Sequence, residues 1–194
     1  MNLEDAMRLH YKGKYSGDEN TLPQPEHKPG AVRFKEPENP KKLAIYMNVV
    51  AIIMYIIIYP LLILHGGSDA FSYLGCLLGF LAAYPHEFLH AICFKKDAYI
   101  YTNLKHGMLF VVGPEDMSKA RFVFMSLLPN IVFGFIPFII FWINPSLGVL
   151  GSIGAISIPM GAGDYLNVVN AIIQMPKGAR TYLSGFHSYW YMTE

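Results

Sequence analysis

The chain carries Tyr84-Pro85-His86-Glu87-Phe88-Leu89-His90 inside an apolar run at residues 71–94. If this run is helical, His86 and His90 lie one turn, about 6 Å, apart on the same helix face. Two neutral imidazoles in that arrangement bind one Zn²⁺ and leave coordination positions open. Zinc lowers the pKa of water to about 7, and the neighbouring Glu87 carboxylate can accept the proton. The pattern predicts His86 and His90 as metal ligands and Glu87 as the catalytic base of a metallopeptidase.

The composition indicates the environment of this motif. Of the 194 residues, 53% are hydrophobic and 15% are charged, and the mean hydropathy is +0.32, which is too apolar for an ordinary soluble domain. We therefore expect an integral membrane protein with the lipid bilayer as its surroundings. Ionisable side chains inside a membrane are costly and usually functional, which favours a metal site over a satisfied polar contact between helices. A net charge of +1 argues against a nucleic-acid partner. The oligomeric state is not indicated.

Four apolar segments are each long enough to cross about 30 Å of hydrocarbon. They are residues 43–64, 71–94, 122–143 and 147–175. Pro85 should kink or restart the second helix, and residues 159–163 should unwind the fourth. The predicted fold is an all-α membrane protein with four transmembrane helices and a short β-hairpin between the second and third.

The basic residues predict the orientation in the membrane. Eight Lys or Arg precede the first span, five lie between the second and third, and two follow the fourth. The positive-inside rule places both termini and the hairpin in the cytoplasm, and the expected location is the plasma membrane of a bacterium. The expected regions are a polar cytoplasmic tail (1–42) without a packed core, a transmembrane metallopeptidase-like domain (43–176) with a hairpin insertion (97–118), and a cytoplasmic C-terminal tail (177–194).

The segment after the motif reads as a β-hairpin. Residues 99–102 and 109–112 favour β-strands. Residues 103–107, which include His106, are of types that are common in turns. An open edge of the hairpin could capture an extended peptide by strand addition, or the segment could be a plain interfacial loop. Residues 113–116, Gly-Pro-Glu-Asp, read as the start of the third helix.

Two further residues of the membrane segments, Asp164 and Asn130, are candidates for the site. Asp164 is the one acid there besides Glu87, and a catalytic zinc needs a third protein ligand, so we predict that Asp164 completes the metal site. The alternative is a neutral, hydrogen-bonded aspartic acid. Asn130 could hold a substrate backbone or an oxyanion, or form an interhelical hydrogen bond.

With these motifs the sequence resembles an uncharacterised family of small membrane proteins described as zincin peptidases, and more distantly the site-2 protease group of intramembrane metalloproteases. The resemblance implies zinc at His86, His90 and Asp164 and general-base catalysis by Glu87. In site-2 proteases the ligand aspartate precedes a glycine, whereas here it follows one. A β-rich insertion after the motif helix is also a feature of that group, which implies substrate docking at the hairpin. The segments that carry the resemblance are His-Glu-Phe-Leu-His at 86–90, Ser-Leu-Leu-Pro at 126–129 and Gly-Asp-Tyr-Leu-Asn at 163–167.

The predicted function is a zinc-dependent endopeptidase that hydrolyses membrane protein or peptide substrates within or beside the membrane. One alternative is a non-catalytic membrane protein that uses the His/Asp metal site as a structural clamp or sensor. Another is a divalent-metal transporter, which the absence of an evident internal repeat disfavours.

Overall fold

The computed structural model describes residues 9–37, 39–103 and 108–193. The chain is mostly helical and also contains two β-sheets. The helices are α1 Pro40–Gly66, α2 Tyr73–Leu81, α3 Ala83–Ile92, α4 Lys119–Pro129, α5 Ile136–Ile143, α6 Gly148–Met160 and α7 Ala162–Gln174, with a π-helical turn at Asn130–Phe135. The strands are β1 Leu9–Lys14, β2 Val32–Arg33, β3 Ala98–Asn103, β4 Met108–Val112, β5 Met117–Ser118, β6 Ala179–Ser184 and β7 His187–Met192.

The residues group into two compact units, and three helical segments contribute residues to both. Unit 1 combines the residues up to Lys35, Glu87–Met125 and the residues from Val168. Unit 2 combines Glu36–His86 and Ser126–Asn167.

Unit 1 contains both sheets. The first has the order β1-β3-β4, with β1 parallel to β3 and β3 antiparallel to β4. The second is antiparallel, with the order β2-β7-β6-β5. The predicted pairing of residues 99–102 with 109–112 is confirmed, because Thr102 pairs with Leu109 and Tyr99 with Val112. The predicted turn, with His106, lies outside the described residues.

The prediction that residues 1–42 lack a packed core is wrong for the described part of this segment. Strands β1 and β2 form there, and Leu22 and Phe34 are buried at 3% and 2% exposure. Both side chains pack with residues far along the chain: Leu22 with Tyr101 and Val112, and Phe34 with Phe122. The prediction used the average density of proline and charge over the segment, and such an average does not show that single apolar residues such as Leu22 and Phe34 are buried. The predicted all-α fold with one hairpin is therefore wrong, because the described residues also form strands outside the hairpin.

The helix predicted to start at residues 113–116 begins instead at Lys119. The two acids of that stretch form ion pairs rather than a helical first turn. Glu115 pairs with Arg121, and Asp116 pairs with Arg180 while accepting a hydrogen bond from Tyr191.

Unit 2 is helical, and two helical segments of the chain are long and apolar enough to cross a membrane: Lys41–Gly66 and Lys119–Ile143, the second of which spans both units. Helix α1 exposes large apolar side chains along its length, including Ile45, Ile52 and Ile56. Helices α2 and α6 approach closely at two glycines of α2. A Cβ at Gly75 would lie 2.5 Å from the Val149 carbonyl oxygen, and one at Gly79 would lie 2.9 Å from the Ile156 Cβ.

The second and fourth apolar segments are each divided into two helices. The first break is at Ala82, just before the proline of the motif. In an unbroken helix the Pro85 ring would clash with the preceding turn, whereas in the first turn of α3 its missing N–H has no partner to lose. The second break is at Gly161, two residues after Pro159. Both predicted interruptions are therefore present.

Candidate metal centre

Helix α3 carries the H-E-x-x-H motif, as the sequence predicts. One potential ligand atom from each of His86, Glu87 and His90 lies within 4.8 Å of the others. Within the part of the chain that the structure describes, this is the one cluster of three such side chains. The helical spacing brings both imidazoles and the carboxylate to one place.

The ring of His90 is oriented by a backbone carbonyl. Its Nδ1 lies 3.0 Å from the carbonyl oxygen of Met125, so Nδ1 carries the proton and donates. The lone pair then belongs to Nε2, which is the atom that a metal would use. A second-shell hydrogen bond of this kind is typical of metal-binding histidines.

The ring of His86 faces the carboxylate of Asp164, the third metal ligand predicted from the sequence. Its Nε2 lies 3.0 Å from Oδ2 of Asp164, and both side chains are largely buried, at 12% and 14% exposure. Asp164 lies in the first turn of α7, directly after the break at Gly161, where the helix N-terminus favours a negative charge. The structure thus brings the one acid of the fourth apolar segment to the first histidine of the motif.

Asn130 contacts the same carboxylate oxygen. Its Nδ2 donates to Oδ2 of Asp164 at 2.7 Å and to the carbonyl oxygen of Ser126 at 3.2 Å, and the side chain is 1% exposed. The interhelical hydrogen bond, one of two roles considered for Asn130 from the sequence, is present.

The donor types at this site are ones that zinc uses; Asp164 contacts His86 but is not part of the cluster formed by His86, Glu87 and His90. Imidazole nitrogen and carboxylate oxygen are among the usual zinc donors, and ligands of a tetrahedral ion at about 2.0–2.1 Å lie about 3.3 Å apart. The His86 Nε2 to Asp164 Oδ2 separation of 3.0 Å is close to that value. His90 presents Nε2 through the tautomer that Met125 selects.

One ion pair that supports the motif helix has no evident sequence signal. Glu115 is 7% exposed, pairs with Arg121 at 2.5 Å, and accepts hydrogen bonds from the backbone N–H groups of Lys95 and Lys96. Arg121 also donates to the carbonyl oxygen of Cys93. Together these bonds fix the chain where α3 ends. Burial opposes ionisation of Glu115, but the hydrogen bonds from Arg121 and the two N–H groups outweigh it and lower its pKa.

Comparison with known proteins identifies the family of the chain. A family profile with the description "Putative zincin peptidase" matches residues 79–180, just over half of the chain, and this region includes the motif, Asn130 and Asp164. No curated protein and no solved structure matches the chain. With the motif on one helix and a carboxylate against its first histidine, the chain belongs to the zincin peptidase family of that description.

Proposed function

We propose that the protein is a zinc metallopeptidase that hydrolyses peptide bonds of membrane proteins or peptides within or beside the membrane. The observation that carries the proposal is the contact of Asp164 with His86, the first histidine of an H-E-x-x-H helix. Membership of the zincin peptidase family supports the same chemistry.

Each residue of the site has a distinct role in this proposal. His86, His90 and Asp164 would hold the metal, which when bound would supply a Lewis acid for the scissile carbonyl and for the attacking water. Glu87 accepts a proton from the attacking water and later donates it to the leaving amine nitrogen. Met125, through its carbonyl, keeps the His90 ring in the required tautomer.

The proposed topology has four membrane crossings. Helix α1 and the segment Lys119–Ile143 each have the length for one crossing. Helices α2 and α3 together, and α6 and α7 together, make the other two, each with its internal break. Both termini lie in the cytoplasm, as the distribution of basic residues predicts, and the membrane is the plasma membrane of a bacterium. Reporter fusions after Met192 and within Gly67–Ser68 test this: the first should be cytoplasmic and the second external.

The hairpin is proposed to hold the substrate in an extended conformation. A helical substrate hides its carbonyl groups, and strand addition exposes them. Within the described residues the edge of β3 is occupied by β1, so β4 offers the edge for a peptide. Deletion of residues 103–107 should abolish cleavage without loss of bound metal. Cleavage at the wild-type rate after this deletion would contradict the docking role.

The metal site is tested by metal content. Purified protein in detergent should contain about one zinc per chain by mass spectrometry, and His86→Ala and Asp164→Ala should each lose it. Matched controls are His65→Ala and Asp69→Ala, which change the same residue types in unit 2 away from the motif. Zinc retained in both site variants, or absent from freshly purified wild type, would contradict the proposed site.

A further inference from the structure

The orientation of the Asn130 amide is fixed by its contacts. An asparagine Nδ2 has two hydrogens, and here one points to Ser126 and the other to Asp164. Turning the amide over would place its oxygen beside the Asp164 carboxylate and the Ser126 carbonyl. All three oxygens accept hydrogen bonds, so none of them would have a donor. The amide can therefore hold an ionised Asp164 carboxylate in one orientation only.

The backbone at Asn130 is adapted to present this side chain. A π-helical turn begins at this residue and runs to Phe135, and the backbone N–H of Ile136 donates to the carbonyl oxygen of Ile131. Pro137 follows and has no N–H for the carbonyl four residues earlier, so a regular helix would lose a hydrogen bond here in any case. Single π-turns within helices occur frequently at functional sites.

The residue opposite Asn130 is a glycine of necessity. A Cβ at Gly161 would lie 1.6 Å from Oδ1 of Asn130 and 2.4 Å from its Cγ. Gly161 also forms the break between α6 and α7, three residues before Asp164. The same glycine therefore admits the amide and starts the helix that carries the carboxylate.

The amide oxygen of Asn130 receives no hydrogen bond from the described part of the chain. Oδ1 of Asn130 is buried and has no hydrogen-bond partner among the described residues. An unpaired buried acceptor is unfavourable for stability, so stability alone does not account for asparagine at this position. The favourable part of the arrangement is the hydrogen bond that reaches Asp164.

We infer that Asn130 is a positioning residue that orients the Asp164 carboxylate toward the metal, and that Gly161 serves this role by making room for the amide. The inference rests on the proposed zinc site. The Asn130 amide and the His86 ring contact the same carboxylate oxygen, Oδ2, so the amide holds in place the oxygen that faces His86. Groups that orient metal ligands in this way typically change metal affinity about 10–100-fold when removed.

The test is zinc affinity, measured by chelator competition on purified full-length protein in detergent. Asn130→Ala should weaken zinc binding about 10–100-fold. Gly161→Ala should weaken it by a comparable factor, although it removes no polar group, because the methyl displaces the amide. The matched control is Gly163→Ala, where the new Cβ meets only the flexible Met47 side chain at 3.1 Å and affinity should not change.

The double variant separates positioning from general damage. In Asn130→Ala there is no amide for the methyl to displace, so adding Gly161→Ala should weaken zinc binding no further. A methyl that acted by disturbing the α6–α7 break would weaken binding in both backgrounds and overturn the role of Gly161. Wild-type affinity in folded Asn130→Ala would overturn the inference as a whole. Wild-type protein that binds no zinc would instead overturn the proposed function.

Discussion

His90 directs its Nδ1 at the carbonyl oxygen of Met125, 3.0 Å away, and this hydrogen bond determines which ring nitrogen carries the lone pair. With Nε2 as the metal-binding atom, zinc should stabilise the folded protein. At a hundredfold excess over its dissociation constant a ligand contributes about 2.7 kcal/mol. Zinc should therefore raise the thermal midpoint of metal-stripped wild type, and His90→Ala should remove that shift. His65→Ala should keep it. An unchanged shift in His90→Ala would exclude this histidine as a ligand.

Glu87→Gln should separate catalysis from metal binding. The amide cannot accept a proton from water, so peptide hydrolysis should fall about 10²–10⁴-fold, the usual contribution of general acid–base catalysis. Zinc content should remain as in wild type, since the proposed ligands are unchanged. The measurement is cleavage of a panel of transmembrane peptides in micelles beside metal analysis, with the exposed Glu26→Gln as control. Loss of zinc would make Glu87 a ligand, and unchanged hydrolysis would make it a bystander. A wild type that binds zinc and cleaves no peptide would favour a clamp or sensor.

Glu115→Gln should destabilise unit 1. Glutamine keeps an acceptor for the two backbone N–H groups but leaves Arg121 without its ionic partner. Breaking a fully buried pair costs about 3–5 kcal/mol, and we expect about 2 kcal/mol here because part of Arg121 is exposed to solvent. Denaturant unfolding in detergent measures the loss. A midpoint equal to that of Glu26→Gln would show that the pair contributes nothing.

The carboxylates of Glu115 and Asp116 should make the stability of the protein sensitive to acid. Burial opposes ionisation of Glu115 and Asp116, but hydrogen bonds outweigh it, chiefly from Arg121 and Arg180 respectively, so the pKa of each is lowered in the folded state. A lowered folded pKa gives stability that is present above the unfolded pKa and is lost as the pH falls through the folded value. The free energy of unfolding should therefore decrease on acidification below the ordinary values of 4.5 and 3.8.

A double variant, Glu115→Gln with Asp116→Asn, checks this origin of the acid sensitivity. The slope of unfolding free energy against pH should be smaller in the variant than in wild type between about pH 2 and 5, because two titrating groups are removed. An identical slope would assign the acid sensitivity to other groups.

Gly75→Ala should weaken the packing of α2 on α6. Its Cβ would lie 2.5 Å from the Val149 carbonyl oxygen, a backbone atom that cannot rotate away. Overpacking of this kind costs about 1–3 kcal/mol. The thermal midpoint in detergent measures the effect, with Gly163→Ala as the matched glycine control. Equal midpoints for the two variants would show that the helices can separate without cost.

The sequence was sufficient for the parts of the site that depend on local spacing. The helical periodicity around His86 and His90, the breaks associated with Pro85 and Pro159, and the β-hairpin all follow from neighbouring residues. The approach of Asp164 to the motif could be anticipated because an acid in an apolar segment needs a partner. Each of these features depends on a few residues, so it can be predicted from a single sequence.

The features that the sequence did not reveal depend on distant partners. Nothing near Leu9 indicates that it pairs with Ala98, or that Val32 pairs with Trp190. The acids at 115 and 116 suggested a helix start because the arginines that bind them could not be identified by position alone. The contact between Asn130 and Gly161 likewise joins two segments whose approach is not encoded in either one.

The discontinuity of unit 1 has a consequence for the order in which the protein can fold. During synthesis β1 must wait for β3, and β2 must wait for β7, because each partner strand follows much later in the sequence. At typical rates of about 5–20 residues per second, the N-terminal strands remain without their partners for several seconds or more. The unit that includes Glu87 and His90 is therefore completed only after β7 has been synthesised, and a chain terminated before β7 lacks a strand needed to finish it.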